Sequence, residues 1–99
     1  MLIESIKMET KFVTVSIEIM HDVNLNQSQK FLMAIIEQSL KSDSRCTVSN
    51  KYLGDLIGTA KESVSRNLNS LVKMGYIAME TKNYIRMIWI PTIEELLND

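Results

Sequence analysis

The central stretch of this chain, residues 48–75, reads VSNKYLGDLIGTAKESVSRNLNSLVKMG and predicts two helices joined by a tight turn. Ser49 is a good N-cap for a first helix of about two turns. Gly58 favours the left-handed conformation that ends a helix and reverses the chain. A second, longer helix starts between residues 59 and 61 and ends at Gly75.

The apolar positions of this stretch indicate how the two helices pack. Gly54 permits their close approach, and Val64 fills the angle between them. Leu68, Leu71 and Val72 continue the same apolar stripe along the second helix. This spacing is typical of a helix-turn-helix, and an αα-hairpin without a binding role is the alternative that the spacing alone leaves open.

The opposite face of the second helix is polar and rich in short side chains. Its outward positions are Lys61, Glu62, Ser65, Arg66, Asn69, Ser70 and Lys73. Serine and asparagine are each roughly half a kcal/mol poorer than alanine as helix formers, so helix stability does not explain their use. Short hydroxyl and amide side chains with an arginine among them are the types that reach base edges and phosphates in a DNA major groove.

The residues before this stretch predict a strand, a helix and a short extended segment. Strict alternation from Lys11 to Met20 predicts a half-buried strand, which could pair beside a hairpin of the same chain or with a second subunit. Asn26 and Gln29 have the spacing of a capping box for a helix over residues 27–41. Residues 46–48 are β-prone but short, which predicts a small addition to a sheet.

The residues after it predict a hairpin. Two runs of strand formers, residues 76–80 and 84–90, flank a polar loop at residues 81–83. Asn83 is the loop residue expected to accept a positive φ. Trp89 is expected in the core of the small sheet in preference to an interface.

Length and composition predict one globular domain. The chain has 99 residues, of which 45% are hydrophobic and 23% charged, as in folded proteins. The predicted domain spans residues 1–99, with a core at about 11–90 and tails at 1–10 and 91–99. In the second tail, Thr92 caps a brief amphipathic helix, which could cover a sheet edge or join two chains.

The residues that could carry chemistry are few. One cysteine, Cys46, and one histidine, His21, are too few soft ligands for a structural zinc site. The sequence contains no glycine-rich phosphate loop and no nucleophile motif. It therefore predicts no enzyme activity, no metal and no cofactor, and 99 residues leave no room for an effector domain that would bind a small molecule.

No stretch of the sequence predicts a membrane span or a secretory signal. The longest apolar run, from Phe31 to Ile36, is far shorter than the roughly 20 residues that a membrane-spanning helix needs. Charged residues within the first dozen positions interrupt any apolar signal region. The expected location is the cytoplasm.

Taken together, the central motifs resemble a family. The run from Leu53 to Gly58, the run from Val64 to Leu68, then Leu71 and residues 75–77 resemble a winged helix-turn-helix DNA-binding domain over residues 48–90. Bacterial transcription regulators and plasmid or phage replication initiators use this domain. The passage through Leu25 and Asn26 into a helix is similar to the corresponding part of replication proteins from mobile elements. The resemblance implies an α+β fold with a three-helix core, a small antiparallel sheet, an extra N-terminal strand and a short C-terminal helix.

The sequence departs from the family pattern at two positions. The family usually has alanine where Gly54 stands, a change of one methyl group that still permits close packing. It usually has a serine or threonine cap where Ala60 stands. Thr59 and Glu62 offer a capping box one residue earlier, which would shift the start of the second helix and change which side chains point at DNA.

The resemblance implies that the ligand is double-stranded DNA. The residues expected to bind it are Lys51, Lys61, Ser65, Arg66, Asn69, Lys82 and Asn83. Three of them, Ser65, Arg66 and Asn69, are expected to contact bases or phosphates, and the lysines to contact the backbone. At the predicted hairpin tip, Lys82 and Asn83 could equally form a plain solvated turn.

Charge is distributed unevenly along the chain. Residues 51–86 carry a net charge of +3 and residues 87–99 a net charge of −3, so the acidity is segregated away from the motif. A net +3 binds DNA weakly at physiological salt in a single copy, which predicts a homodimer or a larger assembly. The same modest charge favours a competing hypothesis, a protein–protein interaction module that keeps the winged-helix scaffold without binding DNA.

Overall fold

The computed structural model describes residues 13–97. Within this range the chain forms five helices and one two-stranded antiparallel sheet, in the order α1 (Ile17–Met20), α2 (Gln27–Leu40), α3 (Asn50–Ile57), α4 (Lys61–Lys73), β1 (Ala78–Lys82), β2 (Ile85–Trp89) and α5 (Ile93–Leu97). This is the mixed winged helix-turn-helix architecture that the sequence predicts. None of the helices in residues 13–97 is long and apolar enough to cross a membrane.

The first long helix, α2, begins at the predicted capping box. The Asn26 side chain accepts a hydrogen bond from the Gln29 backbone N–H at 2.8 Å, and the Gln29 side chain accepts one from the Asn26 N–H at 2.9 Å. These contacts satisfy two of the N–H groups that a helix start leaves without partners. Gln29 is buried, so the cap also orients α2 against the rest of the domain.

The hydrophobic core lies where α2, α3, α4 and the hairpin meet. Its fully buried members come from all of these elements and from the segment before α3: Leu32, Ile36, Cys46, Val48, Leu53, Val64, Leu68, Leu71, Ile77 and Ile88. Val72, predicted on the same stripe, is instead 37% exposed. Successive residues of a helix are rotated by about 100°, so Val72 lies past the edge of the stripe on which Leu68 and Leu71 lie.

The predicted N-terminal strand is wrong over the described residues. Residues 11 and 12 lie outside them, residues 13–16 are irregular, and α1 follows. The Ser16 hydroxyl caps this turn by accepting a hydrogen bond from the Ile19 N–H at 3.2 Å. Ile19 packs against the core while Ile17 is 61% exposed. Within residues 13–97 no strand pairs with this segment, so the local cap decides its conformation.

The hairpin has a different register from the predicted one. The pairs run from Ala78 opposite Trp89 to Lys82 opposite Ile85, which leaves a two-residue turn in place of the predicted loop at 81–83. Asn83 and its successor Tyr84 both have positive φ, at 54° and 66°. This pattern is that of a type I′ turn, whose twist matches the twist of paired strands.

The short segment before α3 adds to this sheet as predicted. Cys46 and Ile88 exchange two backbone hydrogen bonds, of 2.8 and 2.9 Å, in an isolated antiparallel bridge. At this point β2 therefore lies between β1 and the Cys46 segment. Cys46 is a free cysteine and is buried at this bridge.

The C-terminal helix α5 begins directly after the predicted Thr92 cap and contacts the hairpin through Trp89. The Thr92 hydroxyl accepts from the Glu95 N–H, and the Glu95 carboxylate accepts from the Thr92 N–H at 2.9 Å. The Trp89 indole N–H donates to the same carboxylate at 3.2 Å, and the Arg45 guanidinium lies 4.2 Å from the centre of the Trp89 ring. Trp89 is therefore a half-buried anchor for the tail, and the prediction that it lies in the core is wrong.

Candidate nucleic-acid interface

The turn between α3 and α4 is built on two glycines. Gly58 ends α3 with a left-handed φ of 77°. The Gly54 carbonyl accepts hydrogen bonds from the N–H groups of Gly58, at 2.8 Å, and Thr59, at 2.9 Å. A methyl group at position 54 would collide with the Thr59 carbonyl oxygen, so the expectation that alanine would fit here is wrong. The turn folds directly over the Gly54 Cα, which sets the position of α4 on α3.

Helix α4 starts at Lys61 without a side-chain cap. Ala60 occupies the N-cap position with φ −73° and ψ 151°, and its carbonyl accepts from Ser63 and Val64. The earlier start that Thr59 and Glu62 could cap is not adopted. Because Lys61 is the first helical residue, the side chains that face solvent along α4 follow from that register.

The outer flank of α4 is open to solvent. Lys61, Arg66 and Asn69 are exposed, and Ser65 is half-buried beside them. Asn67, at the margin, accepts a hydrogen bond from the Asn26 side chain at 3.0 Å, which ties α4 to the start of α2. The flank formed by Lys61, Ser65, Arg66 and Asn69, here called the α4 flank, is therefore presented by a helix that is fixed on its other sides.

A groove lies between the starts of α3 and α4 and the end of the hairpin. It encloses about 530 Å³ and its lining includes Lys51, Lys61, Tyr84, Ile85 and Arg86. The fold therefore brings together two lysines that are ten residues apart in the sequence, Lys51 and Lys61. Lys82 and Asn83 are exposed at the end of the hairpin but do not line this groove.

Lys51 is partly engaged within the protein. Its ammonium nitrogen lies 3.0 Å from a carboxylate oxygen of Asp55, one turn further along α3. Both side chains are exposed, so the pair is screened by water and contributes little to stability. An incoming phosphate would compete with this carboxylate for Lys51.

Arg86 has a structural role that the net charge of residues 51–86 does not predict. Its guanidinium donates to the Val48 carbonyl at 2.6 Å and to the Asn50 side chain at 2.5 Å. Burial lowers the pKa of Arg86 from its usual value. These bonds join β2 to the start of α3. Strand alternation could have indicated that Arg86 points inward, because it lies two residues before the buried Ile88 and shares its face of the strand.

Tyr84 lies outside the strand in which the sequence predicts it. It is at the tip of the hairpin and is fully exposed. Asn83 could have indicated this turn, since asparagine is favoured at the first of the two central positions of a type I′ turn.

The histidine and the cysteine of the sequence do not line the groove. His21 is exposed and Cys46 is buried in the sheet bridge. Among residues 13–97, no three His, Cys, Asp or Glu side chains are grouped so as to hold a metal ion.

Most of this architecture matches a known family of domains. A family model described as a Crp-like helix-turn-helix domain matches residues 29–98. The match begins inside α2 and covers α3, α4, the hairpin and α5. No curated protein and no solved structure matches the chain. Helix-turn-helix domains bind DNA through the second helix of the motif, which in this chain is α4.

Proposed function

Because the chain belongs to the Crp-like helix-turn-helix family, we propose that it binds specific sequences of double-stranded DNA with α4 in the major groove. The observation that carries this proposal is the polar, largely exposed α4 flank, in which Ser65 and Asn69 lie beside Lys61 and Arg66. Arg66 can donate two hydrogen bonds to guanine, and Asn69 can pair with adenine. Ser65 is available to either a base or a phosphate.

The remaining proposed contacts are with the DNA backbone. Lys61, at the start of α4, and Lys51, in α3, both line the groove, so a DNA backbone that enters the groove could contact both lysines. Lys82 and Asn83 are proposed to contact the backbone from the hairpin. Such contacts hold the register of the protein on the duplex without reading its sequence.

We infer that two or more copies act together. Arg86 is committed to internal hydrogen bonds and Lys51 is paired with Asp55, so within residues 13–97 neither of these two cations is fully available to neutralise a phosphate. A homodimer on two half-sites doubles these contacts at a spacing of about one helical turn, roughly 34–36 Å. The proposed process is transcription regulation or the initiation of mobile-element replication, in the cytoplasm and without a small-molecule effector.

Titration of a labelled mixed-sequence duplex tests the placement of α4. Arg66→Ala is expected to weaken binding by about 1–3 kcal/mol and to relax base preference in a selection from random duplexes. Lys82→Ala should weaken binding less and without regard to sequence. Lys41→Ala is the matched control, because Lys41 is an exposed lysine at the end of α2 that does not line the groove. Wild-type affinity in the Arg66 and Lys82 variants would contradict the placement.

The competing function is a protein–protein interaction module. It is favoured by the modest net charge of +3 over residues 51–86 and by exposed apolar side chains on α5, namely Ile93, Leu96 and Leu97. Salt separates the two hypotheses. DNA binding must weaken steeply as salt rises, because phosphate contacts release counterions, whereas an apolar protein interface need not weaken.

A further inference from the structure

The ion pair between Lys51 and Asp55 is not placed to stabilise α3. Lys51 lies in the first turn of this helix and Asp55 in its last turn. The start of a helix carries a partial positive charge and its end a partial negative charge, so each side chain lies at the end that disfavours its own charge. An acid four residues before a lysine is the more stabilising order, and here the order is reversed. Helix stability therefore does not explain the pair.

Lys51 lies where a phosphate could use it. It lines the groove between α3, α4 and the hairpin together with Lys61 and Arg86. The Arg86 guanidinium already donates to the Val48 carbonyl and to the Asn50 side chain. Lys51 and Lys61 are therefore the two cations of the lining that a phosphate could reach without breaking a contact between the hairpin and α3.

Asp55 occupies one of these two cations. Its carboxylate oxygen lies 3.0 Å from the Lys51 ammonium nitrogen, which is the distance of a charge-assisted hydrogen bond. A phosphate oxygen is an anionic acceptor of the same kind, so it competes with the carboxylate for the same N–H groups. Both side chains are largely exposed, and water therefore screens the pair enough for a phosphate to replace it.

We propose that Asp55 limits the affinity of the chain for DNA by holding Lys51 in an ion pair that a phosphate has to replace. This inference rests on the proposed DNA binding. Lys51 is proposed to contact the DNA backbone, which is the same for every sequence. Asp55 therefore lowers affinity for all duplexes alike, and base preference depends on the α4 flank.

Titration of a labelled mixed-sequence duplex at low salt tests this role with Asp55→Asn. Asparagine keeps the shape of the side chain and removes its charge, so the variant should bind about three- to fivefold more tightly than the wild type. The gain should shrink as salt rises, because exposed charges are screened. The midpoint of urea unfolding should not fall, since the pair does not stabilise α3.

A second background separates the ion pair from general repulsion of DNA by Asp55. In a Lys51→Ala protein the carboxylate has no lysine to hold, so adding Asp55→Asn should leave affinity unchanged. Glu37→Gln is the matched control for net charge. It removes one negative charge from α2, Glu37 does not line the groove, and the variant should bind like the wild type.

The outcomes distinguish this inference from the proposed function. If Asp55→Asn does not bind more tightly than the wild type, while Arg66→Ala still weakens binding, the role of Asp55 is overturned and the proposed function stands. An equal gain from Asp55→Asn in the Lys51→Ala background, or from Glu37→Gln, overturns the role of the ion pair. A lower unfolding midpoint in Asp55→Asn shows that the pair is structural and also overturns it. Absence of duplex binding by both the wild type and Asp55→Asn overturns both proposals.

Discussion

The helix-turn-helix and the hairpin are held in place by different forces. Helix α4 places Val64, Leu68 and Leu71 in the core with no exposed area. The hairpin contributes Ile88 to the core, but the residues nearest its turn, 80–82 of β1 and Ile85 of β2, are exposed. Packing therefore fixes α4, whereas paired backbone and the Arg86 hydrogen bonds fix the outer part of the hairpin.

This difference predicts whether a mutation changes mainly the stability of the domain or mainly its DNA binding. The core of the helix-turn-helix carries the cooperative stability of the domain, so changes there are felt by the whole fold. The outer hairpin has few buried contacts, and such regions open locally at a lower free energy than global unfolding. Changes there should alter DNA binding more than they alter global unfolding.

The largest expected effect is on the packing of α4. Leu68→Ala should lower the free energy of unfolding by about 2–5 kcal/mol, because a fully buried leucine leaves a cavity. Ile85→Ala, on the exposed outer hairpin, should change it by less than about 0.5 kcal/mol. Urea unfolding followed by circular dichroism measures both. Equal costs at the two positions would break the comparison between the two regions.

A smaller effect is expected where the hairpin meets α3. Arg86→Met removes the donors to the Val48 carbonyl and the Asn50 side chain and should cost about 1.5–3 kcal/mol. It should also weaken DNA binding, because the hairpin is no longer held against α3. Native-state hydrogen exchange of the β1 and β2 amides should quicken relative to that of α4.

Lys82→Met is the matched control for Arg86→Met. It removes the same charge from the hairpin, at an exposed position where Lys82 makes no side-chain hydrogen bond or ion pair with residues 13–97. It should therefore weaken DNA binding without changing hydrogen exchange or unfolding. If both variants weaken binding while both leave hydrogen exchange unchanged, Arg86 acts only through its charge.

Local signals predicted most of the helical fold. The capping box at Asn26 and Gln29, the Ser49 cap and the Gly58 stop are decided within a few residues, and the structure contains all three. The polarity of the α4 flank likewise follows from the 3.6-residue period and a correct helix start.

The wrong predictions concern segments whose conformation depends on residues that are distant in the sequence. The alternation at residues 13–20 predicts a strand only if another strand is available to pair with it. Within residues 13–97 no strand pairs with this segment, and the Ser16 cap starts a helical turn. The register of the hairpin depends on the twist of both strands. Polarity alone predicts a loop at residues 81–83, whereas the structure has a two-residue turn at residues 83 and 84. The inward position of Arg86 depends on Val48, which is 38 residues away in the chain.

The same distinction between local and long-range contacts applies to the candidate site. The α4 flank is one helix face, which sequence periodicity can predict. The groove that joins Lys51, Lys61 and Tyr84 is formed by three separate elements, and no local pattern places them together. Gly54 marks the limit of the family resemblance, because its tight contact with the Thr59 carbonyl depends on the turn of this particular chain.

The smallest expected effect sharpens the comparison at the start of α4. Ala60→Ser should raise the free energy of unfolding by about 1 kcal/mol, since Ala60 already has N-cap geometry, is exposed and lacks a side-chain cap. The added hydroxyl would accept from the free N–H groups of the first turn. Duplex affinity should not change, because packing and not the cap positions α4. Thr59→Ala is the companion variant. If Thr59→Ala destabilises the domain while Ala60→Ser does not stabilise it, the helix is capped one residue earlier and a different set of side chains faces the DNA.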